Sequence, residues 1–138
     1  MTTVIRPKLS TKNKYWIEKH RYYELKHFCL QYPLWRKIYS SLDGAYARAE
    51  LSIFGHGTGV SDPTERQAET RVFYSVRMKM IEQAAIATDA DLYSYILEAV
   101  TEGLSYDHIK ARLEIPCCKD VYYELYRRFF WLLDKERQ

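Results

Sequence analysis

The chain has 138 residues, 47% of them hydrophobic and 15% aromatic, and a net charge of +3. That is long enough for a buried core, too apolar for a disordered tail, and not the composition of a uniformly basic nucleic-acid coat. No apolar run approaches the length of a membrane span, and three cysteines without framework spacing (Cys29, Cys117 and Cys118), in a chain lacking a secretory signal, predict a cytoplasmic protein.

Residues 1–10 read as a loose arm, with Pro7 and no apolar period. Ser10 or Thr11 is the expected cap of a helix beginning at Lys12, in which Tyr22, Leu25, Phe28, Cys29, Tyr32 and Trp35 form a broad apolar stripe. Pro33 should kink that helix or end it near Tyr32, and it suits the first turn of a second helix, PLWRKIYSSL. Asp43-Gly44 is the expected end, and AYARAELSIF is either a helical continuation or an irregular link. GHGTGVSD, with three of the five glycines, is the clearest break.

After the break, Asp62, Pro63 and Glu65 have the spacing of an N-cap, a first helical residue and a capping-box partner. The long helix they open should place Val72, Val76, Met80, Ile81, Ala84 and Ala85 on its apolar side. Thr88 or Asp89 should start the next helix, which buries Leu92, Tyr95, Ile96 and Val100 and ends on Gly103. Ser105 is a natural N-cap for a helix over 106–113 that buries Ile109 and Leu113. EIPCC follows as a short turn, with Ile115 as an apolar plug. The last helix should bury Tyr122, Leu125, Tyr126, Phe129, Leu132 and Leu133. No strand-length alternation occurs. The predicted fold is all-α: an N-terminal helical unit over 1–54, a Gly-rich hinge over 55–62, and a helical unit over 63–138 with a helix-turn-helix at about 105–133.

A short amphipathic helix, a plugged turn and a second helix with exposed polar residues are what a helix-turn-helix requires, and a plain helical hairpin shows the same periodicity. GLSYDHIKARLEIP closely resembles the Gly-Leu-Ser-Tyr-x-x-Ile-x-x-x-Leu-x-Ile pattern of sigma-factor promoter-reading domains. A basic N-terminal helical unit, the SDPTERQA entry to a long helix and the tail IPCCKDVYYELYRRFFWLL together resemble phage-encoded late-transcription regulators of the ArpU/RinA type. Cys118 and Lys119 stand where such tails often carry Ser and Arg. The resemblance implies specific binding of double-stranded DNA upstream of late operons and activation of host RNA polymerase.

On this reading Lys119, Asp120, Tyr123, Glu124 and Arg127 are the base-side candidates, and Arg128, Lys110 and Arg112 the phosphate candidates. A homodimer through the N-terminal helices is the expected assembly. The rival readings are a small-terminase-like DNA-packaging adaptor and a helical protein–protein adaptor that binds no nucleic acid. Charge is unevenly spread, at +6 over residues 1–50, −4 over 51–104 and +1 over 105–138. The basic side of the first helix, with Lys12, Lys14, Lys19, Arg21 and Lys26, is read as a solvated face or as a second phosphate contact. Its neighbours Tyr15, Trp16, Tyr22 and Tyr23 are read mainly as core, with stacking on single strands as the alternative. Asp89, Asp91, Glu98 and Glu102 are read as a solvated acidic face or a polymerase contact.

No catalytic constellation, cofactor motif or metal site is expected. Cys117 and Cys118 are adjacent, which makes a poor chelate, and are read as buried thiols in a turn. His20, Glu24 and His27 share a helix face, and the reading preferred for them is exposed polar spacing. GHGTG lacks the Lys-Ser/Thr of a phosphate loop.

Overall fold

The structure is a computed structural model and describes residues 12–53 and 63–138. Among these residues the fold is all-α, with six helices: α1 (Lys19–Leu30), α2 (Tyr32–Ile53), α3 (Pro63–Thr88), α4 (Tyr93–Glu102), α5 (Tyr106–Leu113) and α6 (Lys119–Glu136). No described helix is long and apolar enough to cross a membrane. The loose arm over 1–10, the Ser10 and Thr11 caps, the Asp62 cap and the whole Gly-rich segment over 55–62 lie outside the described residues.

Two compact units emerge, cut at 31/32 and at 79/80. The expected division fell instead at the Gly-rich segment. The difference comes from α1, whose buried face of Tyr22, Leu25, Phe28 and Cys29 packs against α4 and α6. The first unit therefore joins α1 to the end of α3 and to α4, α5 and α6. The second holds α2 and the first two-thirds of α3.

Helix α1 begins at Lys19, not Lys12. Asn13 closes a turn first, its side-chain oxygen accepting from the Tyr15 N–H at 2.9 Å and its carbonyl accepting from the Trp16 N–H at 3.0 Å. Glu18 then caps the helix from an extended backbone, its carboxylate accepting from the His20 and Arg21 N–H groups at 2.9 and 3.0 Å. Those two backbone donors hold its pKa below the ordinary glutamate value. Helix α1 ends at Leu30 and α2 starts at Tyr32, with Pro33 in the first turn, where its missing N–H leaves no bond unmade. Asp43-Gly44 does not end α2, which continues to Ile53.

In α3 the inward stripe runs through Gln67, Arg71, Tyr74, Met78, Ile81 and Ala85. This corrects the expected apolar side: Ile81, Ala84 and Ala85 are buried, but Val72 and Val76 are 61% and 51% exposed. In the second unit the inward register carries polar residues, and one of them, Arg71, is held by an aromatic partner. Arg71 donates to the Tyr39 hydroxyl at 3.3 Å and lies over that ring, 5.1 Å from its centroid.

Thr88 and Asp89 lie before α4 rather than at its start. Thr88 is the last residue of α3, its hydroxyl donating to the Ala84 carbonyl at 2.7 Å. Asp89 forms the turn, one carboxylate oxygen accepting from the Asp91 and Leu92 N–H groups, both at 2.8 Å. Ile96, Ala99 and Val100 are buried on α4, while Leu92 and Tyr95 are half-buried. Gly103 ends α4 at φ +68°, in the left-handed conformation that a Cβ disfavours.

Candidate nucleic-acid interface

The two helices singled out by sequence, α5 and α6, pack on each other and each packs on α4. Ser105 caps α5 as expected, its hydroxyl accepting from the His108 N–H at 3.3 Å. Helix α5 spans Tyr106–Leu113, as its periodicity predicts. Ile109 is completely buried, but Leu113 is 40% exposed, which corrects its assignment to the core. The chain leaves α5 at Glu114, the only non-glycine residue at positive φ (+54°) among those described, with its N–H donating to the Lys110 carbonyl at 3.0 Å. That bend drives Ile115 inward to zero exposure, the plug that the turn was expected to hold.

A Cβ in the left-handed region costs about 1 kcal/mol, and glycine avoids this cost. Glu114→Gly should therefore raise stability by about 0.5–1 kcal/mol, read as a higher urea midpoint at unchanged slope. Glu114→Ala should bring no such gain, because it keeps the Cβ.

Polar contacts tie the turn to both helices. The Tyr106 hydroxyl donates to the Cys117 carbonyl at 2.8 Å, and the Tyr106 N–H donates to the Tyr123 hydroxyl at 3.3 Å. Tyr122 donates to the Leu104 carbonyl at 3.2 Å, and Lys110 to the Ile115 carbonyl at 3.0 Å. Helix α6 starts after Cys118, whose side chain makes no capping bond. Its inner face buries Tyr122, Tyr126, Phe129 and Leu133 as expected, and also Phe130, while Leu125 and Leu132 are half-buried. Tyr22 of α1 meets this face, its ring edge-on to Phe130 and its hydroxyl 3.0 Å from that of Tyr126.

The outer face of α6 carries Lys119, Asp120, Glu124 and Arg128, all exposed. Val121, absent from the residues sequence reasoning had selected, lies beside them and is 42% exposed. Its signal was faint: one apolar residue after Lys119-Asp120, out of step with the buried stripe. The remaining candidates are placed differently. Tyr123 is half-buried, with its hydroxyl engaged by Tyr106 and its ring edge-on to Tyr122 and Tyr126. Arg127 is half-buried, and its Nε is buried without a hydrogen-bond partner among the described residues. Lys110 holds the turn. Arg112 reaches Glu102 at 2.5 Å and Glu98 at 3.9 Å, so these two acids face a cation of α5.

Comparison with known proteins gives no match to a family model, a curated protein or a solved structure.

Elsewhere in this unit the charged groups of α1 serve its seam with α6. Arg21 bonds Asp134 at 2.6 Å and Glu24 at 2.8 Å, and Arg137 lies 3.8 Å from the Phe28 ring centroid. Lys12, Lys14 and Lys19 are exposed, and Lys26 is half-buried. Tyr15 packs edge-on to Trp131, Tyr22 is core and Trp16 is exposed. Among the described residues no group of three or more His, Cys, Asp or Glu is placed to hold a metal ion. The reading of buried turn thiols is corrected: Cys117 is half-buried and Cys118 exposed, and the buried thiol is Cys29 of α1.

Proposed function

We propose that the chain is a sequence-specific double-stranded DNA-binding transcriptional regulator of phage or prophage genes. In this reading α5, the turn at 114–118 and α6 form a helix-turn-helix, and α6 enters the major groove. The observation that carries it is the two-sidedness of α6. Tyr122, Tyr126, Phe129 and Phe130 are locked into the core, while Lys119, Asp120, Val121, Glu124 and Arg128 project outward from the first three turns. The likeness of GLSYDHIKARLEIP to promoter-reading domains supports the same assignment.

The chemistry of that face divides by reach. Lys119 and the free N–H groups of the first turn of α6 suit a phosphate. Asp120 and Glu124 accept hydrogen bonds and suit the cytosine amino group, and Val121 suits a thymine methyl. Arg128, farther along the helix, suits a phosphate or a guanine edge. Tyr123 is assigned to holding the turn, and Arg112 to the seam with α4. Contact with host RNA polymerase belongs to the same proposal.

The test is fluorescence anisotropy on duplexes selected from a random library and on a scrambled control, across a salt series. Tight binding to the selected sequence at physiological salt is expected. Arg128→Ala should weaken all duplexes by about 1–2 kcal/mol and reduce the salt slope by about one ion, while Glu124→Ala should relax preference at one base pair. Equal, steeply salt-dependent binding to every duplex would favour the packaging adaptor. Absence of binding at low salt would leave the protein–protein adaptor.

A further inference from the structure

The outward face of α3 carries a self-complementary pattern. Within the second unit, Val72 and Val76 are 61% and 51% exposed, and Phe73 beside them is 47% exposed. A group of large apolar side chains set within little more than one turn marks an interaction surface, since single exposed apolar residues are ordinary but clustered ones are not. Glu69 and Lys79, both exposed, flank the two valines, and neither has an ion-pair partner among the described residues.

The spacing is symmetric. Glu69, Val72, Val76 and Lys79 lie five residues before, two before, two after and five after position 74. At a rise of about 1.5 Å per residue, the two charges sit about 7.5 Å on either side of that centre. A two-fold axis perpendicular to α3 at position 74 would lay a second α3 antiparallel across the first. Val72 of one copy then meets Val76 of the other, and Glu69 comes level with Lys79, twice over. All four residues fall within an arc of about 80° on the helix, so long Glu and Lys side chains can meet across the seam.

We infer that this face of α3 is a homodimer interface, an antiparallel pairing of two copies centred between Val72 and Val76 and registered by two Glu69–Lys79 ion pairs. The occupant is a second copy because the charge order along the helix, acid then apolar pair then base, is complementary to its own reverse. A partner uniformly acidic or basic would meet a like charge at one end. The apolar area is small, so the dimer is weak, with a Kd on the order of tens of micromolar. The inference is independent of the proposed DNA binding, although two-fold dimers are how helix-turn-helix modules read paired half-sites.

Charge reversal tests both partner and register. Sedimentation equilibrium of the full chain should show a monomer–dimer equilibrium, and Glu69→Lys or Lys79→Glu alone should weaken it by about tenfold or more, since each places two like pairs in one interface. Mixing the two single variants should restore association as a heterodimer, because each Lys then faces a Glu. The double variant should also restore it. Val72→Ser with Val76→Ser should leave a monomer with an unchanged helical spectrum. A wild-type chain that stays monomeric up to about 500 µM would overturn the inference. A dimer that survives the valine changes and single reversals, or single variants that weaken without restoration on mixing, would overturn it as well.

Discussion

Ile115→Asp is expected to unfold the helical unit built from α1 and α4–α6. Ile115 has no exposed surface, and it follows directly on the left-handed residue that turns the chain from α5 towards α6. Removing the side chain alone should cost about 2–5 kcal/mol, as large-to-small changes do in cores. A carboxylate in the same place would sit in an apolar site, and the Lys110 ammonium, which donates to the Ile115 carbonyl, would offset only part of the cost. Its desolvation adds several kcal/mol more. The total rivals the whole stability of a domain, about 5–15 kcal/mol. Ile115→Val, which keeps the shape and loses one methylene, should cost only about 0.5–1.5 kcal/mol. Urea denaturation followed by far-ultraviolet circular dichroism separates the two. An Ile115→Asp chain with a normal cooperative transition would mean that the turn is not a closed apolar site. Any duplex binding measured on Ile115→Val then reports the interface itself, because that variant keeps the fold.

The features legible in sequence are those set by local stereochemistry. Gly103 closes α4 because a residue at φ +68° is best served by glycine, and Ser105 caps α5 because its hydroxyl reaches the N–H three residues on. Pro33 divides α1 from α2 for a similarly local reason. The start of α1 was misread because Ser10, Thr11 and Glu18 all precede the same apolar stripe, and composition does not tell which will cap it. Glu114 gave no signal of its left-handed backbone, since glutamate rarely adopts it and only the packing of Ile115 demands it. Helix α3 misled for a different reason. Its apolar residues mark two faces, and the face taken inward in the second unit is the one whose Arg71 finds Tyr39. Periodicity counts apolar side chains and cannot weigh a buried cation–aromatic contact against a valine. The candidate interface was half legible. Exposure of Lys119, Asp120, Glu124 and Arg128 followed from the period of α6, whereas the engagement of Tyr123, Lys110 and Arg112 depends on partners in α5, the turn and α4.

Alkaline pH should unfold the same unit within a narrow range, for a reason visible in its tyrosines. Tyr22, Tyr122 and Tyr126 are buried together against Phe129 and Phe130, with the Tyr22 and Tyr126 hydroxyls 3.0 Å apart. Burial pushes the Tyr22 hydroxyl up to about 12 and raises those of Tyr122 and Tyr126 as well. The Cys29 thiol is also raised by burial. In the unfolded chain a tyrosine ionises near pH 10 and a cysteine near 8.5. The contribution of each neutral buried group is therefore fully present below its unfolded pKa. It is lost as pH rises towards the folded value, because only the unfolded chain has released the proton. Each group removes about 1.4 kcal/mol per pH unit over its window. Tyr22 and Tyr122 together remove about 3 kcal/mol per unit above pH 10, the raised Tyr126 hydroxyl steepens the loss, and Cys29 begins the decline near pH 8.5. A domain of ordinary stability should then melt between about pH 11 and 12. Thermal melts from pH 8 to 12, read beside tyrosinate absorbance, give the check. The buried tyrosines should ionise in an abrupt step that coincides with loss of helix. Tyr22→Phe should make the decline shallower, while lowering stability at neutral pH by about 1–3 kcal/mol if Tyr126 is left without its partner. Smooth titration of every tyrosine near pH 10 with the helices intact would show that the aromatic cluster is open to solvent, and with it the inner face on which the orientation of α6 depends.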